Sequence, residues 1–351
     1  MRILIAEDDA ALAGFVRQGL QGEHYAVDVV EDGEQARAMG TEFDYDLVIL
    51  DLNLPKLDWV SVLRHLRLKR PSLPVLVLTQ RSRVEDRVQC LDTGADDYVP
   101  KQLSANSLDI HHIRGDLIAK IKAAAESWRS RNRLALPRKP PRAAVLPTRE
   151  VSHSAPAIVA LGVSTGGPKA LQEMLPTLPA DLPVPILIVQ HMPAGFTAPF
   201  AKRLNSLCAV SVCEASHGEV VRPGVVYLAP AGFHMTVNCP GNSRISISLS
   251  GEAQNQVHVP SVDVMMQSVA FAFRSQAMGI IMTGMGSDGA QGMKAIHGAG
   301  GFTVGQDEPS SVVYGMPRVC AEMGILDRVV PLSQIPYEIL QATHYRKANA
   351  I

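Results

Sequence analysis

A chain of 351 residues is long enough for two domains with separate cores, since single cores rarely grow past about 250–300 residues. Its formal net charge of −1 provides no global field for nucleic acid or an anionic membrane surface, so partners must be selected by local sites. The five cysteines form no C-x-x-C pair, and neither a signal peptide nor an 18-residue apolar span is present; the expectation is a reduced cytoplasmic protein without membrane insertion.

The chain opens on Ile3-Leu4-Ile5, an apolar strand running into Glu7, Asp8 and Asp9, and Leu12, Phe15, Val16, Gly19 and Leu20 follow at helical spacing. Leu47 to Leu50 repeats the βα design and ends in Asp51, Val75 to Leu78 ends in Thr79, and Tyr98-Val99-Pro100 precedes Lys101. Each strand delivers a polar residue at its carboxyl end, where open α/β sheets place their sites. Clustered carboxylates there are costly unless a cation neutralises them, and hard oxygen ligands with room for water suit Mg²⁺.

These residues resemble the phosphoacceptor site of response-regulator receiver domains, which implies a (βα)5 fold over about residues 1–128. The resemblance assigns Glu7 and Asp8 to the metal-binding acidic pair and Asp51 to the phosphorylated aspartate within D-x-x-x-P, Asp51 to Pro55. It also makes Asn53 a further metal-site residue, Thr79 the hydroxyl that contacts the phosphoryl group, Tyr98 the switch aromatic and Lys101 the phosphate-pairing charge. Two residues depart from the receiver pattern: Trp59 replaces a usual glycine, which is expected to put a bulky ring in the loop beside the phosphoacceptor, and Gln102 replaces the proline that usually follows the lysine. The alternative is a receiver that docks partners without being phosphorylated. Ile113, Leu117, Ile118 and Ile121 predict a closing helix before Trp128.

Residues 129–155 combine Arg129, Arg131, Arg133, Arg138, Lys139, Arg142 and Arg149 with Pro137, Pro140, Pro141 and Pro147. Apolar residues recur there at no period, which predicts an extended linker. A basic run can also touch nucleic acid, but no helix-turn-helix follows, so a solvated linker is the preferred reading.

The second domain is expected over 156–345. Ala157 to Leu161 predicts a buried strand that stops in Gly162-Val163-Ser164-Thr165-Gly166, a G-x-S-x-G turn whose small residues allow a serine hydroxyl to stand exposed above a sheet. A serine nucleophile requires a base and a group that orients the base. Ile186 to Val189 predicts the next strand, running into Gln190 and His191, and parallel strands share one carboxyl edge, so His191 is the candidate base. Gly279 to Met282 predicts a third strand, opening into Thr283-Gly284-Met285-Gly286-Ser287-Asp288-Gly289. Asp288 would orient the histidine, and the Met285 N–H is the first choice for an oxyanion donor. Glycine-rich turns also bind nucleotides, but neither G-x-G-x-x-G nor G-x-x-x-x-G-K-[ST] is present in them.

The order Ser164, His191, Asp288 differs from the Ser, Asp/Glu, His order of standard α/β hydrolases. The order, the attached receiver and the stretches GVSTGGPKAL, VQHMPAGFTAPFAKRL, PGVVYLAPAGFHM, VPSVDVMMQSVA, TGMGSDGAQGM and QDEPSSVVYGMP together resemble the chemotaxis protein-glutamate methylesterase family. The resemblance implies a doubly wound, mostly parallel α/β catalytic domain with no cofactor of its own. It further implies hydrolysis of glutamate methyl esters on chemoreceptors with release of methanol, deamidation of receptor glutamines, and Thr165 as a supporting active-site residue. A chemotaxis histidine kinase would phosphorylate Asp51 with Mg²⁺ in the receiver, relieving inhibition by a receiver lying across the esterase mouth. A monomer with no nucleic-acid partner is expected. The stretch from His258 to Asp263 either lines the cleft or serves packing, with Ser261 capping a helix. Two further readings stand beside this one: a DNA-binding regulator, which would need a basic recognition helix in the second half, and a non-catalytic adaptor, against which the intact Ser164, His191 and Asp288 argue.

Overall fold

The computed structural model describes residues 1–71, 73–79, 84–101, 121, 154–192, 194–238, 244–251 and 258–345. The chain divides into two compact units, Met1–Ser130 and Arg131–Ile351. Residues 129–153 of the expected linker, together with Gln102, Ile113, Leu117 and Ile118, lie outside the described residues, except that Ile121 is fully buried in the core of the first unit.

The first unit alternates strand and helix: β1 (Arg2–Ala6), α1 (Ala10–Gln21), β2 (Ala26–Val30), α2 (Gly33–Glu42), β3 (Leu47–Asp51), α3 (Trp59–Lys69), β4 (Val75–Thr79), α4 (Val84–Thr93) and β5 (Asp97–Pro100). The strands pair in parallel in the order β2-β1-β3-β4-β5. Register then decides what meets at the carboxyl edge. Ala6 lies opposite Leu50, so Glu7 comes level with Asp51, and Thr79 lies opposite Pro100, so Lys101 emerges one residue beyond. Aspartates start the helices because their carboxylates take up N–H groups that have no partner in the first turn. Asp9 accepts from Ala11 and Leu12, Asp32 from Gln35, and Asp58 from Ser61. The last of these corrects the reading of Trp59. Capped by Asp58, Trp59 is the first residue of α3 and its ring is buried, so it belongs to the helix and core and not to the loop beside Asp51.

In the second unit, β6 (Ile158–Val163), α5 (Gly167–Met174), β7 (Ile186–Gln190), α6 (Thr197–Leu207), β8 (Ser211–Glu214) and β9 (Val225–Leu228) come first. An antiparallel pair follows, β10 (His234–Asn238) and β11 (Ser246–Ser250). Then come α7 (Val262–Phe273), β12 (Ala277–Ile281), α8 (Ala290–Gly298), β13 (Phe302–Gln306), α9 (Met316–Glu322), β14 (Arg328–Val330) and α10 (Ile335–Ala342). The main sheet has the order β14-β13-β12-β6-β7-β9-β8, and every pair in it is parallel.

All six residues of β6 are buried, and they alternate between two cores. Val159, Leu161 and Val163 join one cluster, while Ile158 and Ala160 join the other. This explains the unbroken apolar run: a parallel strand covered on both faces has no polar side to present. Fully burying each such valine, leucine or isoleucine contributes about 1.5–3 kcal/mol. The chain leaves β6 toward β7 on one side and later returns to place β12 on the other. The direction of winding therefore reverses between β6 and β12, and open α/β sheets bind ligands outside the strand ends at such a point.

Candidate active site

Ser164 follows the last residue of β6, and His191 follows the last residue of β7. Val163 lies opposite Gln190, which brings the two side chains to one level of the sheet edge. Their backbones are fixed to neighbouring strand ends: Ser164 N–H donates to the Thr283 carbonyl at 3.0 Å, and His191 N–H to the Val163 carbonyl at 3.2 Å. Gly166, at φ 77°, turns the chain into α5 through the left-handed region that glycine adopts without strain. Gly284 leaves room for Ser164, since a Cβ there would lie 2.8 Å from the Ser164 Cβ and 2.2 Å from the Met316 sulfur.

The three predicted side chains meet. His191 Nδ1 is 3.1 Å from Ser164 Oγ, and His191 Nε2 is 2.8 Å from Asp288 Oδ2. An ionised carboxylate can only accept, so Nε2 carries the proton and Nδ1 presents its lone pair to the serine hydroxyl. The ring is thus turned round relative to the serine-protease triad, in which Nε2 faces the serine.

Asp288 also receives hydrogen bonds from the start of α7. Its Oδ1 accepts from Ser261 Oγ at 2.9 Å and Asp263 N at 3.0 Å, and Oδ2 accepts from Val262 N at 2.8 Å. Burial pushes the Asp288 carboxyl up, but the hydrogen bond from His191, those from Asp263 and Val262, and the histidine's charge outweigh burial and bring its pKa to about 2. Ser261 is at the same time the N-cap of α7, accepting from Val264 N, so the capping role expected for it coexists with a place beside the triad. His258 stacks on His191 with ring centroids 4.3 Å apart and 22° between the planes.

Thr165 is buried, and its carbonyl accepts from Thr283 Oγ1 at 2.9 Å. Met285 stands in the turn after β12, one peptide beyond Gly284, and its N–H donates to no group among the described residues. The Gly284 that precedes it packs close to the Ser164 Cβ, so Met285 N–H stays the leading candidate oxyanion donor.

In the first unit, Glu7, Asp8 and Asp51 each bring a carboxylate oxygen within 4.8 Å of the others. Lys101 Nζ bridges Glu7 and Asp51, at 2.7 Å and 2.9 Å. Burial raises Glu7 to about 7, helped by the Asp51 charge and opposed by Lys101. Burial raises Asp51 as well, against the pull of Lys101 and the Leu52 N–H. One ammonium against three clustered carboxylates leaves excess negative charge, and the oxygen donors fit a hard divalent cation. Asn53 is exposed two residues after Asp51, Tyr98 is buried, and Thr79 ends β4.

The CheB methylesterase family matches residues 159–339, and the response regulator receiver domain matches residues 3–112. A protein-glutamate methylesterase/protein-glutamine glutaminase of Geobacter sulfurreducens is 39% identical, covering 97% of this chain and 96% of that protein. One from Oleidesulfovibrio alaskensis is 36% identical over 98% of this chain and 100% of its own. The chain belongs to the protein-glutamate methylesterase/protein-glutamine glutaminase family.

A crystal structure of the Thermotoga maritima CheB methylesterase catalytic domain, 38% identical, superposes at a TM-score of 0.52 and covers 54% of this chain and 99% of that one. The methylesterase unit and the receiver are therefore the two domains of the chain. The sequence alone does not show the His258 stack, the three donors that the start of α7 sends to Asp288, or the reversed histidine ring. The signal for the first two was the HVPSVD stretch, where a serine before an apolar helical run marks an N-cap. The ring orientation is seen only in which nitrogen meets Ser164 and which meets Asp288, and has no counterpart in local sequence.

Proposed function

We propose that this chain hydrolyses glutamate γ-methyl esters on chemoreceptors, with Ser164 as nucleophile, His191 as general base and acid, and Asp288 as the group that orients the histidine. The observation that carries the reading is the continuous path from Ser164 Oγ through both ring nitrogens of His191 to Asp288, set at the switch point of the sheet. Ser164 Oγ attacks the ester carbonyl carbon while His191 Nδ1 takes its proton. The resulting imidazolium is stabilised by Asp288, already ionised, and the oxyanion by Met285 N–H. The tetrahedral intermediate collapses, His191 returns the proton to the methoxide, and methanol leaves. Water then attacks the acyl-serine with the same histidine as base, freeing the glutamate and restoring Ser164. A glutamine side chain follows the same course, with ammonia as leaving group.

Glu7, Asp8 and Asp51, with Asn53 nearby, would hold Mg²⁺, which neutralises charge so that an anionic phosphoryl group can approach Asp51. Phosphorylation of Asp51 by a histidine kinase would draw Lys101 and Thr79 onto the new phosphoryl oxygens and lift the receiver's restraint on the esterase. Methanol release from methylated receptor membranes, by wild type and Ser164→Ala, with and without a small phosphodonor plus Mg²⁺, tests the whole reading. Serine-dependent release that rises with phosphodonor is expected; equal release by Ser164→Ala would overturn it.

A further inference from the structure

Gln190, the last residue of β7, is buried to within 1% of its surface, yet it is not an apolar residue like the rest of its strand. Its side-chain Nε2 donates to two backbone carbonyls, those of Ser164 at 2.9 Å and of His191 at 3.1 Å. These belong to the nucleophile and the base. Two carbonyl acceptors fix which end of the amide carries nitrogen, so Oε1 points the other way, and there it is buried with no hydrogen-bond partner among the described residues. The oxygen occupies the space above Gly167: a Cβ on that glycine would lie 2.0 Å from Gln190 Oε1 and 2.6 Å from Val163 Cγ2.

A core position that only needed filling would carry leucine or methionine and avoid an orphaned oxygen. Gln190 accepts that cost, and what it obtains is a tie between the two turns that must hold Ser164 Oγ and His191 Nδ1 at 3.1 Å. The Ser164 carbonyl has a second donor, Gly167 N–H at 2.8 Å, which sets the turn itself; the bond from His191 N–H to the Val163 carbonyl joins the strand ends one residue earlier, and the Gln190 amide adds a side-chain tie to the Ser164 carbonyl itself. We infer that Gln190 is a positioning residue for the esterase reaction: its amide locks the backbone of Ser164 to that of His191, and the second glycine of Gly166-Gly167 is small because this amide lies across it. The inference rests on the serine-nucleophile reading above.

The experiment is steady-state methanol release from methylated receptor membranes by the full-length chain, with unfolding midpoints recorded in parallel. Gln190→Leu and Gln190→Met keep the volume and remove both donors. Their kcat is expected to fall about 10- to 100-fold, since small misplacements of reacting groups cost that much, with KM unchanged and only a small shift in midpoint. Gly167→Ala is expected to lower kcat in wild type and to lower it less in a Gln190→Ala background, because the methyl group then has less to displace. Retention of kcat within about threefold in both Gln190→Leu and Gln190→Met would overturn the inference. So would losses fully accounted for by the unfolded fraction, or a Gly167→Ala penalty identical in the two backgrounds. Ser164→Ala separates the two readings: if it is silent while the Gln190 variants work normally, only the clamp falls, and if it works normally, the nucleophile assignment falls first.

Discussion

Asp288 gathers the hydrogen bonds of the candidate site onto one carboxylate. Four donors reach it, and its pKa of about 2 lies below the ordinary value of 3.8, so the ionised form is favoured in the folded state. A carboxyl held low in the fold contributes stability that is complete above its unfolded pKa and lost as pH falls through the folded one. For Asp288 the loss falls between pH 3.8 and about 2. It amounts to about 2 kcal/mol. Urea unfolding across that interval is expected to show wild type losing this increment and Asp288→Asn, already destabilised, showing a flatter dependence. A separate expectation concerns Ser261, which caps α7 and donates to Asp288 through the same hydroxyl. Ser261→Ala should cost about 1–2 kcal/mol of stability as a lost cap. It should also lower methanol-release kcat, while Ser261→Thr, which keeps the hydroxyl, restores most of both. Equal rates for the alanine variant and wild type would show that Asp288 needs no help from the cap. Ser164, His191 and Asp288 were legible in the sequence because each stands in a polar or glycine-rich turn directly after an apolar strand. The other partners of Asp288 were not, because they come from a helix start that reaches it only across the fold.

At the scale of elements, the packing of α7 on β6 sets where those donors lie. Gly162 makes the approach possible, since a Cβ there would stand 2.2 Å from Val262 Cγ1. Val262 is the first residue of α7 and its N–H is one of the donors to Asp288. Gly162→Ala should therefore push the helix start away, costing about 1–3 kcal/mol as an overpacked core does. It should depress kcat beyond what the lost stability explains. Gly298 in α8 is the control: a Cβ there meets nothing within 4 Å, so Gly298→Ala should be neutral or stabilising by up to about 1 kcal/mol, with kcat unchanged. Thermal unfolding and methanol release on the two variants check both statements. The same contrast explains which elements the sequence revealed. Strands β1, β3, β6, β7 and β12 are covered on both faces and read as apolar runs, as did β4. Strands β8 (SVCE) and β14 (RVV) are short and partly exposed, and β10 and β11 form a separate antiparallel pair with alternating polarity, so none of them gives a continuous signal.

At the scale of the molecule, the two units carry separate cores. The receiver's is built on Ile3, Ile5, Leu47, Ile49, Leu76 and Leu78, and the esterase's on both faces of its own sheet. Units with separate cores fold separately, so the segment from residue 131 onward should fold without the receiver and keep the triad. The family's domain order then has a direct consequence for rate. If the receiver restrains the esterase until Asp51 is phosphorylated, the isolated second unit should release methanol faster than the unphosphorylated full chain and should ignore phosphodonor and Mg²⁺. The full chain should respond to both, and Asp51→Asn should hold it at the unphosphorylated rate while leaving Ser164, His191 and Asp288 untouched. A tenfold response would correspond to about 1.4 kcal/mol of bias on the restrained state, well within what a new phosphoryl charge beside Lys101 can supply. Measuring all three proteins against the same receptor membranes decides the point. Identical rates for the isolated unit and the unphosphorylated full chain would leave the receiver a docking module, and a response that survived Asp51→Asn would move the phosphoacceptor away from β3.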